Sequence, residues 1–196
     1  MPRGFTNNQT QIIKQKLIDF AISMIQESGV RKTTIERLTR AANISTGAFY
    51  HFYPSKEALF FNVYEILEEQ VKIQFLDQIT SISINPKEIK GVILSLLDSE
   101  NMRNLLTLIR KDELEYILMN IDPSVVQKHL NDDRLFMNKL IDLISARGLY
   151  VSLNADLILS YLQALFTLCY EKDHYYPYSD RIISSFLDTM LNDLLS

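Results

Sequence analysis

The chain has 196 residues, 47% of them hydrophobic, which is enough to bury a core and excludes an intrinsically disordered protein. Its net charge of −4 is unevenly spread: residues 1–56 carry eight basic side chains (Arg3, Lys14, Lys16, Arg31, Lys32, Arg37, Arg40, Lys56) against three carboxylates, a net +5, and residues 57–196 carry −9. The longest apolar stretch, Leu157 to Tyr170, falls short of the roughly 20 residues of a bilayer span. The N-terminus shows no signal-peptide pattern and Cys169 has no internal disulfide partner, so the expectation is a cytoplasmic protein with no membrane partner.

Glycine and proline are sparse and fall where helices begin or end, which predicts an all-α protein. A first helix from about Thr10 to Ser28 places Ile13, Leu17, Phe20, Ala21, Met24 and Ile25 on one face, and Gly29 ends it in the left-handed region. A short helix follows over Thr33–Ala42, capped by a threonine. Asn43 supplies a turn, Ile44 plugs the gap, and Ser45 caps a second short helix through Tyr50. Pro54 and the Ser55 cap reset the chain into a long helix to about Gln78, some 35 Å at 1.5 Å per residue.

Beyond it, Asn85-Pro86 opens a helix to about Asp98, and another spans Asn101 to about Asn120. Asp122-Pro123 opens one that ends at Gly148, and Asn154–Glu171 and Asp180–Leu195 supply two more, with 173–178 as a surface loop. About nine helices result, divided into a three-helix helix-turn-helix domain over 1–54, joined by the long helix to a helical bundle over 55–196.

The run Thr33-Thr34-Ile35 through Ala41-Ala42-Asn43-Ile44-Ser45, then Gly47-Ala48-Phe49-Tyr50-His51-Phe52-Tyr53 and Ser55-Lys56-Glu57-Ala58-Leu59-Phe60, resembles the DNA-binding segment of the TetR family. Three departures from its usual pattern, Asn43 for Gly, Leu38-Thr39 for Ile-Ala and Met24-Ile25 for Leu-Phe, keep the properties those positions need. Independently of the name, two short helices joined by a tight turn can present the second to a major groove about 12 Å wide. Leu38, Ala41, Ile44, Phe49 and Phe52 or Tyr53 would fix the angle between them.

By resemblance, Thr34, Tyr50, His51 and Lys56 are expected at phosphates, and Ser45, Thr46, Gly47 and Ala48 at base edges. Gly47 costs about 1 kcal/mol in a helix relative to alanine, so close backbone approach to DNA explains it better than helix stability. Lys56 sits against the helix dipole, which favours an external anion as its partner. The implied function is a homodimeric regulator of operator DNA, a repressor released by a small apolar or aromatic ligand.

Leu157, Tyr161, Ala164, Leu165 and Leu168, with Ile182, Ile183, Phe186, Leu187, Met190 and Leu191, exceed what one helix face needs and predict a two-fold dimer through the last two helices. A ligand pocket is expected among Leu67, Val71, Phe75, Leu105, Ile109, Tyr116, Phe136, Leu140, Phe166 and Tyr170, the two phenols orienting the ligand. No catalytic residue, metal site or cofactor is assigned. His129 with Asp132 or Asp133 reads as a charged surface stripe, Asp112-Glu113-Glu115 as a charge run, and Cys169 as a buried small hydrophobe. Two other classes stay open: a nucleoid or cell-division adaptor using the same DNA head, and a helical-bundle enzyme or carrier.

Overall fold

The computed structural model describes residues 5–109 and 112–195. Helix α1 (Asn7–Glu27) starts earlier than the expected Thr10 because Thr6 and Gln9 form a reciprocal capping box, with bonds of 3.3 and 2.9 Å. It buries Ile13, Leu17, Ile18, Ala21, Met24 and Ile25, while Phe20 is only half-buried. Gly29 has φ +77°, and the chain then makes a one-turn helix, α2 (Gly29–Lys32), which periodicity over four residues could not signal.

The next elements are α3 (Ile35–Ala42), α4 (Thr46–Phe49), α5 (Lys56–Ser81), α6 (Pro86–Leu97) and α7 (Glu100–Ile109). They are followed by α8 (Glu113–Met119), α9 (Pro123–Ala146), α10 (Ala155–Tyr170) and α11 (Ser179–Leu194), with a 3-10 turn at Lys172–Tyr175 inside the expected loop. Eleven α-helices are therefore present among the described residues, and no strand. The two beyond the expected nine are α2 and the product of a break in the 101–120 helix. That break lies at Asp112, whose φ of +60° takes the backbone out of the right-handed helix.

The chain forms two compact units, with divisions inside α5 and α7: residues up to Glu68 with Thr107–Asp122, and Glu69–Leu106 with Pro123 onward. In the first unit α1 packs on α3 and α2 on α8. Leu17, Val30, Leu38, Phe49, Leu59, Phe60 and Ile117 are among its fully buried side chains.

In the second unit α5, α6, α10 and α11 share a core of Ile79, Ile89, Leu165, Cys169, Ile183, Leu187, Met190 and Leu191. A second cluster joins α9 to α10 and α11 through Met137, Leu140, Ile144, Ala155, Ile158 and Leu194. Arg147 closes the end of α5 by donating to the carbonyls of Ile79 (2.7 Å), Thr80 (3.3 Å) and Ile82 (2.8 Å). Burial pushes the Cys169 thiol up to about 11, which leaves it protonated and unreactive at neutral pH. Of the apolar surplus expected at a dimer face, Leu165, Ile183, Leu187, Met190 and Leu191 belong to the protomer's own core. Leu157, Ala164 and Ile182 remain exposed.

Candidate DNA-binding surface

Each turn of the helix-turn-helix is set by a local rule. The Thr34 hydroxyl accepts from the N–H of Arg37 (3.3 Å) to start α3, and Asn43, at φ 56° and ψ 49°, ends it in the left-handed region. The N–H of Ile44 donates to the Thr39 carbonyl (3.0 Å), and the Ser45 hydroxyl accepts from Ala48 (3.1 Å) to start α4. Leu38 and Phe49 are wholly buried between these helices and their neighbours, and Tyr53, also buried, donates its hydroxyl to Asn62 (2.9 Å). Thr33 is buried too, and its hydroxyl donates to the Gly29 carbonyl (2.7 Å), so Thr34 alone is the helix cap.

What this leaves outside is the edge of the helix-turn-helix that carries the residues expected at DNA. Thr34, Ser45, Thr46, Gly47 and His51 are exposed, Ala48 is half-buried, and the Tyr50 ring is 54% exposed while standing edge-on to Phe49 at 5.6 Å. An ideal Cβ built on Gly47 would meet only the Ser45 hydroxyl, at 4.0 Å. Nothing inside the described protein therefore requires a glycine there.

Beside this edge lies an open cleft of about 470 Å³ lined by the first residues of α3 (Thr34, Ile35, Glu36) and of α5 (Ser55, Lys56, Glu57), with Arg31 and Tyr50. Two helix N-termini thus open on one groove, and each carries its own first-turn carboxylate there, Glu36 and Glu57. The Glu36 carboxyl is held below the usual carboxylate range by its backbone hydrogen bond and by the Thr34 hydroxyl.

The cations of the head are not equally available. Lys56 places its ammonium against the carbonyls of Val30 (3.0 Å), Arg31 (3.1 Å) and Thr33 (2.9 Å), which uses all three of its protons to close the end of α2. Arg37 pairs with Glu27 (2.8 Å) and donates to Ser28 (3.4 Å). Lys16, Lys32 and Arg40 are exposed, and Arg3 lies outside the described residues. Lys56→Ala is accordingly expected to lower stability by about 2 kcal/mol, the range of hydrogen bonds to a charged group. It should barely change how DNA binding depends on salt, and chemical denaturation with a salt titration of the same variant separates this from a simple phosphate contact.

The residues expected around a ligand do not gather in one unit. Leu67, Ile109 and Tyr116 belong to the first, and Val71, Phe75, Leu105, Phe136, Leu140, Phe166 and Tyr170 to the second. Tyr116 is engaged within the first unit: its hydroxyl donates to Glu57 (2.8 Å), a bond that pushes the phenol above its ordinary range. Leu105 and Leu140 are buried, and Lys72 lies 5.3 Å above the Phe136 ring while donating to Asp133 (2.6 Å), the carboxylate that also pairs with His129 (3.3 Å).

The sequence reading missed Glu113, read as part of a charge run. Its Oε2 accepts from the N–H groups of Val30 (3.1 Å) and Arg31 (3.2 Å), about eighty residues away, and no local pattern carries such a pairing.

Among the described residues an all-helical fold with a capped helix-turn-helix and an exposed α4 has the build that presents a short helix to a nucleic-acid groove. Residues 17–63 match the family of bacterial regulatory proteins described as the tetR family, so this segment is a tetR-family helix-turn-helix. The chain is similar to the HTH-type transcriptional regulator AcrR of Shigella flexneri, 24% identical over 116 residues that cover 57% of this chain and 54% of that one. It is also similar to the nucleoid occlusion factor SlmA of Haemophilus ducreyi, 33% identical over 69 residues, 35% of this chain and 33% of the relative. The chain thus spans about half the length of the first relative and a third of the second. Its fold is that of NalD, the secondary repressor of the MexAB-OprM multidrug efflux pump in Pseudomonas aeruginosa, with a TM-score of 0.57, 21% identity and coverage of 95% and 98% of the two chains. No described helix is long and apolar enough to cross a membrane.

Proposed function

We propose that the chain is a dimeric regulator that binds operator DNA through the edge formed by Thr34, residues 45–48, Tyr50 and His51 and represses transcription. The observation that carries this reading is Gly47: exposed, on a helix, and without any neighbour that a side chain would disturb, it is explained by a partner whose surface must come close to the backbone. No arginine or asparagine stands on α4, so base discrimination rests on Thr46, on apolar contact from Ala48 and on DNA shape.

Leu157, Tyr161, Ala164 and Leu168 recur at helical spacing on α10, and all four are exposed or half-buried, which supports a dimer seam there and at Ile182 of α11. A two-fold dimer should protect two half-sites about 34 Å apart in a footprint. Ala164→Glu is expected to give a monomer in sedimentation and to abolish the paired footprint, with a cooperative melt whose midpoint is lower and no longer depends on protein concentration. A dimer that survives this change removes the α10 seam.

Release by a small apolar or aromatic ligand belongs to the same proposal. A ligand that opposes DNA must itself be opposed by DNA, with a coupling of about 1–3 kcal/mol. Lipophilic compounds that raise the melting temperature yet leave operator affinity unchanged would remove ligand control. A second reading, a nucleoid or cell-division factor, is favoured by the similarity to SlmA. Chromosomal binding scattered over many sites rather than confined to promoters would select it.

A further inference from the structure

Arg31 is outside the set of DNA-facing residues that the sequence predicts, yet it lines the groove that holds Thr34, Tyr50 and Lys56. Lys56 gives its protons to backbone carbonyls, whereas the side chain of the exposed Arg31 donates, among the described residues, only from Nη2, to the Asp112 carbonyl (3.3 Å). Its other guanidinium nitrogens have no partner among the described residues. The guanidinium carbon stands 5.0 Å from the centre of the Tyr116 ring, and the Arg31 backbone N–H is held by Glu113. Gly29 makes room for that carboxylate: a Cβ there would lie 2.5 Å from Glu113 Oε1, and the φ of +77° also suits glycine alone.

We propose that Arg31 is a further phosphate-contacting residue and that Glu113 and Tyr116 are positioning residues that aim it. This rests on the DNA-binding reading above. Arginine presents a rigid fork matched to phosphate, but its side chain is costly to order when DNA arrives. Tying one nitrogen to Asp112, laying the plane near Tyr116 and fixing the backbone through Glu113 removes part of that cost beforehand.

The test is binding of mixed-sequence duplex DNA across a salt series by wild type, Arg31→Ala, Glu113→Ala, Glu113→Gln and the Arg31→Ala/Glu113→Ala double variant, with a thermal melt of each. Arg31→Ala is expected to weaken binding about tenfold and to flatten the slope of log K against log salt by about two for a symmetric dimer, near 0.9 per phosphate. Glu113→Ala should weaken binding in the same direction, and the double variant should bind no worse than Arg31→Ala alone, because the carboxylate acts through the arginine. Glu113→Gln, whose amide oxygen can still accept both N–H bonds, should bind within about twofold of wild type.

Additive losses in the double variant would overturn the positioning role. Unchanged affinity and slope in Arg31→Ala would overturn the inference as a whole, and this surface variant decides the matter even if Glu113→Ala does not fold. Wild type that fails to bind duplex DNA at all would instead remove the DNA-binding reading beneath it.

Discussion

Gly47→Ala is expected to weaken duplex binding about tenfold or more, equivalent to about 1.4 kcal/mol, while the protein stays as stable as before or gains up to about 1 kcal/mol. The two effects have opposite signs because they act on different surfaces. Inside the protein a methyl group at position 47 meets nothing closer than 4.0 Å, and alanine is the better helix former. Outside it, the methyl stands where the start of α4 must approach the floor of a groove, and one added carbon there separates backbone from DNA. Denaturation and anisotropy titration of one preparation measure both. A variant that binds like wild type would mean that this end of α4 does not approach DNA.

The second large effect is Phe49→Ala. Phe49 is wholly buried and is the last residue of α4, so its ring holds the four-residue helix that has too few internal hydrogen bonds to stand alone. Removing the ring from a closed core costs about 3–5 kcal/mol. The expected result is loss of ordered structure in the N-terminal unit, seen as rapid amide exchange over residues 35–60, with the core of α10 and α11 still protected. Uniform loss of protection across both units would show instead that they unfold together.

Much of this design was legible in the sequence wherever a single residue enforces a single local geometry. Gly29 and Asn43 both occupy the left-handed region, Asn85 with Pro86 opens α6, and Ser45 caps α4, each read from residue type and position. The start of α1 was also written locally, in the Thr6 to Gln9 capping box, but apolar periodicity drew attention three residues downstream. The break at Asp112 had no such marker. Glutamates, leucines and methionines on both sides favour one long helix, and nothing nearby announces that Glu113 bonds to the backbone at Val30 and Arg31.

The same limit explains Lys56 and Tyr116. A lysine in the first turn of a helix reads as a cation awaiting an anion, whereas here the carbonyls at the end of α2, more than twenty residues back, meet its ammonium. A tyrosine in an apolar stretch reads as pocket lining, whereas its hydroxyl bonds to Glu57. Leu187 shows the converse, since periodicity identified an apolar face on α11 but could not divide it between the protomer's own core and a partner.

The central claim, that the basic N-terminal unit binds duplex DNA through phosphates and groove contacts, is tested most directly by titrating mixed-sequence duplex DNA with the wild-type protein at a series of salt concentrations. Log K should fall linearly with log salt, with a slope of several units set by the phosphates neutralised across two half-sites. An affinity that does not change with salt, or no measurable binding at low salt, would contradict it.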